Sequence, residues 1–227
     1  MGAGRIVAVA ALAAAAALVG GCDWVLTEKD TQQYEVSGDV HTLSVSGTAV
    51  DLDVVTGNGP VVVDEVIRYN GSSPATSHRV TDGTLRLESA GCTEGEACRV
   101  RYRVTVPADT RLVVAVDAGT VETSGLTGDL DLELEAGQVT ARRAASSRAD
   151  VRVDVGDVDL RYAQAPDRVA VTTGTGAVSV KLPTTGDYAV RTHTDVGDTE
   201  VSVPRVPSSP RAVDVRVDVG QITVASA

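Results

Sequence analysis

The carboxylates have the widest chemical reach in this chain, and two groups share one spacing: Asp154-Val155-Gly156-Asp157 and Asp195-Val196-Gly197-Asp198. Carboxylates on both sides of a turn supply the oxygen ligands that calcium takes. Calcium-binding β-repeats use the pattern G-G-x-G-x-D, which is absent here, so Asp154, Asp157, Asp195 and Asp198 are weak calcium candidates and no metal is expected. Asp is also an ordinary turn and surface residue. The three histidines, His41, His78 and His193, stand apart in dissimilar contexts, which gives no support to a base paired with a nucleophile. No glycine-rich loop opens a helix and no zinc spacing occurs, so neither a cofactor nor a catalytic residue is expected. A glycosidase-like carboxylate pair on one face stays open, because acidic residues are plentiful and nothing selects one pair.

Three cysteines complete the reactive inventory. Cys92 and Cys98 lie in GCTEGEACRVRYRV, where Gly91 and Gly95 let the short intervening segment turn. A disulfide is expected there, and a metal site with two thiols and no nearby histidine is the weaker alternative. Cys22 ends the opening MGAGRIVAVAALAAAAALVGGC, in which Arg5 precedes an apolar run and small residues follow. That is the layout of a secretory signal, and the apolar run is too short for a comfortable membrane span. The junction Val19-Gly20-Gly21-Cys22 resembles the bacterial lipobox, which implies lipidation at Cys22 and an acyl anchor in the membrane. An odd cysteine count in an exported protein agrees with one thiol being otherwise occupied.

The formal net charge is −11. Nucleic-acid affinity rests on neutralising phosphates with Lys and Arg, so nucleic acid is not an expected partner. An acidic fold should not lie flat on anionic lipid either, which leaves the acyl chains to hold it at the membrane.

These residues are carried on a repeat. The heptapeptide DVRVDVG occurs at 150–156 and again at 214–220. Aligned on one glycine each, six units follow one another, around Gly119, Gly137, Gly156, Gly176, Gly197 and Gly220, at intervals of 18 to 23 residues. Each alternates apolar and polar side chains, as a strand with one buried face does. The alternation changes parity at the glycine: Val151, Val153 and Val155 share one face, while Val158 and Leu160 share the other. A one-residue slip sends every side chain to the opposite face, so the chain must turn or bulge at each glycine.

A near-constant interval of about twenty residues predicts an all-β protein, a β-solenoid of about six rungs in which successive units stack. The alternative is a β-sandwich of hairpins, disfavoured because the Asn-Gly and Asp-Gly pairs of tight hairpins are lacking at these corners. The domain reading is a lipoprotein signal at 1–21, a tether at 22–38, an N-terminal β region or cap at 39–107 and the repeat solenoid at 108–227.

The stretch VTVPADTRLVVAVDAGTVETSGLTGDLDLELEAGQV, followed by GDVDL and GAVSV, resembles the bacterial β-solenoid family labelled "putative adhesin", a domain of unknown function related to head-GIN and toast-rack domains. The resemblance covers roughly 39–227 and supplies no catalytic residues. It implies adhesion, scaffolding or sensing; joined with the signal layout and the Cys22 junction, the expectation is a non-enzymatic, lipid-anchored, extracytoplasmic binding module with an unknown protein or cell-wall ligand as partner. The competing expectation is an enzyme acting on envelope polysaccharide through surface carboxylates. With one Trp, five Tyr and no Phe, the chain lacks a row of sugar-stacking aromatics, which favours the non-enzyme.

Overall fold

The computed structural model describes residues 26–227, so the signal segment and Cys22 lie outside the described residues. Twelve strands follow: β1 (Glu28–Val36), β2 (Thr42–Thr56), β3 (Val61–Asn70), β4 (Thr76–Thr81), β5 (Thr84–Ser89), β6 (Ala97–Val106), β7 (Arg111–Ser124), β8 (Leu130–Ala144), β9 (Arg148–Tyr162), β10 (Arg168–Leu182), β11 (Ala189–Val201) and β12 (Ala212–Ser226). They form one open sheet in the order β1-β3-β6-β2-β7-β8-β9-β10-β12-β11, with the β4–β5 hairpin joined to β2.

From β2 to β11 every pairing along this path is parallel, and corresponding residues of successive units sit side by side. Each long strand bends at its glycine into two arms, and the core lies between them. One inward row runs Val45, Val114, Leu132, Val151, Val171 and Val215 along the first arms. Another runs Leu52, Val121, Val139, Val158, Val178 and Ile222 along the second. All are buried, so the parity change in the sequence keeps both arms apolar toward one interior. The fold is a β-solenoid-like stack.

The corner explains the glycine ladder. Gly119, Gly137, Gly156, Gly176, Gly197 and Gly220 have φ between +135° and +152°. A Cβ on Gly156 would collide with the carbonyl oxygen of Gly137 on the neighbouring rung, and the other five meet backbone of a neighbouring rung in the same way. Only glycine allows this backbone conformation and this approach together.

Two expectations are corrected. Val155 does not share the inward face of Val151 and Val153: it is 57% exposed, and its counterpart Val219 is 46% exposed. The bulged corner occupies residues on both sides of the glycine, so the residue before it stands on the convex edge. The last two units also do not stack in chain order, because β12 inserts between β10 and β11. The inward positions of β12 are Val213, Val215, Val217, Ile222 and Val224, all buried, whereas β11 opposes Val215, Val217 and Ile222 with Thr192, Thr194 and Thr199. Covering β12 on both sides buries more apolar area, and the threonine-bearing unit tolerates the open end.

At the other end the sheet forks. The first arm of β2 pairs with β5 and the second with β6, which continues antiparallel into β3 and β1. β2 itself is laid as a rung against β7 along both arms.

Candidate functional site

The aspartates flanking the corners separate into two rows. On the first-arm side, Asp117, Glu135, Asp154, Gly174, Asp218 and Asp195 occupy equivalent positions just before the corner. On the far side, Asp157 and Asp198 follow their glycines. Asp154 and Asp157 sit on β9, Asp195 and Asp198 on β11, with β10 and β12 between those strands. At about 4.8 Å per strand step, the two pairs are too far apart to share one ion. Among the described residues, no group of three or more His, Cys, Asp or Glu is placed to hold a metal.

Asp157 is occupied by the fold. The β9–β10 pairing is interrupted between Thr175↔Val155 and Val178↔Val158, and the Ala177 amide donates instead to Asp157 Oδ1 at 2.8 Å. The same substitution occurs one strand before the repeat: the β2–β7 pairing opens between Ala49↔Ala118 and Leu52↔Val121, and Thr120 N donates to Asp51 Oδ1 at 3.2 Å. Asp51 is only 5% exposed and also accepts from the Thr120 hydroxyl and from Arg99 at both oxygens. Its many donors offset the cost of burying a carboxylate. An aspartate after the corner thus replaces a missing ladder bond with a side-chain one.

His193 Nε2 lies 2.7 Å from Asp195 Oδ1. His193, but not Asp195, lines a hollow of about 310 Å³ on the outer side of the β10, β12 and β11 first arms, together with Ala170, Thr172, Arg191, Asp214 and Arg216 among others. The hollow exists because Ala170 stands where its neighbours carry Asp150 and Asp214. His78 stacks on Tyr34 with ring centroids 4.2 Å apart, on the opposite side of the molecule's strand order from His193. His78 and His193 therefore share no site. A disulfide joins Cys92, in the segment between β5 and β6, to Cys98 on β6.

Several polar groups escaped the sequence reading. Glu65 lies inward on β3, opposite Tyr102, between Val63 and Ile67, and is 4% exposed. Burial, reinforced by the Glu65 charge, pushes the Tyr34 and Tyr102 phenols well above their ordinary range. The signal was present: Glu65 holds the inward parity of an otherwise apolar alternation. Arg142 and Arg143 break the alternation of β8 in the same legible way.

What these elements define is a two-armed parallel β stack, cornered by glycine and edged with carboxylates. The chain belongs to the Toastrack DUF4097 family, which it matches over residues 29–213. Among solved structures it is similar to a "putative cell adhesion protein" from Clostridium sporogenes ATCC 15579, at 16% identity and a TM-score of 0.53, over 88% of this chain and 100% of that one. It is also similar to a "putative adhesin" from Bacteroides fragilis NCTC 9343, at 15% identity and a TM-score of 0.49, over 88% and 98% of the two chains. These likenesses concern the fold. No curated protein matches the chain.

Proposed function

We propose that this chain is a non-enzymatic module of the cell surface, lipid-anchored through Cys22, that presents a rigid β stack for binding, adhesion or scaffolding. The observation that carries the reading is how the outward charges are spent. Arg111 pairs with Asp131 at 3.4 Å and Arg191 with Asp214 at 3.2 Å, each across adjacent strands. Arg152–Asp150 at 3.0 Å and Arg161–Asp159 at 2.8 Å lie along single strands. Such exposed pairs add little stability but pattern the outer sides of both arms with paired charge. The adhesion wording attached to a structural neighbour points the same way and makes a cell-surface or extracellular setting the natural one.

The test is turnover. The purified chain is incubated with cell-wall glycans, peptides and esters, and the reading expects no hydrolysis. Hydrolysis abolished by Asp195→Asn, which removes the carboxylate charge beside His193, would replace the binding module with an enzyme acting on envelope material.

A further inference from the structure

In a chain of net charge −11, one surface runs against the overall sign. Near the end of β8 the inward residues are Ala141 and Ala144, and the β8–β9 register shifts between them. Arg143 takes φ +52°, a conformation that a long side chain rarely adopts. The bulge leaves Arg142 and Arg143 both exposed on one edge. Arg161 on β9 and Lys181 on β10 stand opposite one another on the same side. Four cations thus occupy three successive strands, at about 4.8 Å per step.

Their partners are unequal. Arg142 pairs with Glu122 at 3.1 Å and Arg161 with Asp159 at 2.8 Å. Arg143 donates instead to the neutral Ser124 hydroxyl at 2.9 Å, and among the described residues no carboxylate pairs with Arg143 or Lys181. Beside them lies a hollow of about 440 Å³, lined by Ser124, Arg142, Arg143, Arg161 and Tyr162 among others. That volume takes a small headgroup. Guanidinium forks match the oxygens of a phosphate, and backbone strain at a non-glycine residue persists where surrounding structure holds it in place.

We propose that this hollow binds a phosphate ester, with Arg143 supplying the uncompensated charge at its wall, Ser124 a hydroxyl donor, and Lys181 a further cation on the neighbouring strand outside the lining. The acidic remainder of the molecule limits the site to a single headgroup rather than a polyanion. The site goes beyond the surface-module reading and does not depend on it, since an enzyme carrying the same patch would bind the same group.

The probes are sn-glycerol 3-phosphate in solution and phosphatidylglycerol vesicles set against phosphatidylcholine vesicles. All are titrated against the full chain carrying Cys22→Ser, so that no acyl chain contributes. Arg143→Gly removes the guanidinium while glycine accepts the same φ, so the fold should melt no lower. Its affinity should fall about tenfold or more, as for loss of a charged hydrogen bond. Arg148→Gln deletes an equal charge outside the hollow and should leave binding unchanged. If the parent binds both glycerol phosphate and phosphatidylglycerol vesicles and Arg143→Gly loses both, the phosphate group itself is assigned; if the parent binds only the phosphatidylglycerol vesicles and Arg143→Gly loses that, a lipid headgroup is assigned. No binding of any probe, binding kept by Arg143→Gly, or equal weakening by Arg148→Gln overturns the proposal.

Discussion

Gly156 shows how much of this architecture hangs on single atoms. Its φ of +145° and its approach to Gly137 leave no space for a methyl group. Gly156→Ala should therefore cost at least about 3 kcal/mol, combining backbone strain with a collision against backbone that cannot move aside. Denaturant unfolding measures it, and a loss under about 1 kcal/mol would mean that the corner relaxes freely. The importance of the glycines was legible, because a parity change inside an alternating strand has few physical solutions. The fate of their neighbours was not. Val155 alternates with Val151 and Val153, yet stands on the convex edge, since alternation alone does not tell how many residues a bulge consumes. Asp51 and Asp157 look like surface aspartates in sequence, and only the opened pairing beside them reveals their structural use.

At the scale of the element, lateral order matters most. Units read from sequence carry no record of which strand lies beside which, so the insertion of β12 between β10 and β11 could be recognised only afterwards, from the threonines of β11. A threonine also interrupts the core where strands are covered on both sides. Thr173 follows Val116, Leu134 and Val153 in one inward row and precedes Val217. It is fully buried, and its hydroxyl has no hydrogen-bond partner. Thr173→Val keeps the shape and removes that desolvated hydroxyl, so it should stabilise the chain by about 1 kcal/mol. Destabilisation in the same denaturant titration would mean that the hydroxyl is satisfied in solution.

For the whole molecule, the tyrosines set a pH limit. Burial pushes Tyr162 up to about 12, and Tyr34, Tyr102 and Tyr188 are also raised, burial being the largest cause in each. A phenol whose pKa is higher folded than unfolded leaves the folded chain holding more protons above pH 10.0, the ordinary value. Its stabilisation is complete below that pH and is lost as pH rises from there toward the folded value. The melting temperature should hold below pH 10.0 and fall above it, with phenolate absorbance appearing together with unfolding. Tyr69 lies outside the buried core, so phenolate from more than one tyrosine in a chain that stays folded would contradict this.

The acyl anchor proposed on Cys22 would display this β stack from a membrane. Two acyl chains hold stably where one holds marginally, so the attachment should depend on that single sulfur. Cell fractionation of the parent chain and of Cys22→Ser decides it. The parent should appear in the membrane fraction and Cys22→Ser should be released as a soluble, folded protein. Cys22→Ser remaining wholly with membranes would contradict it.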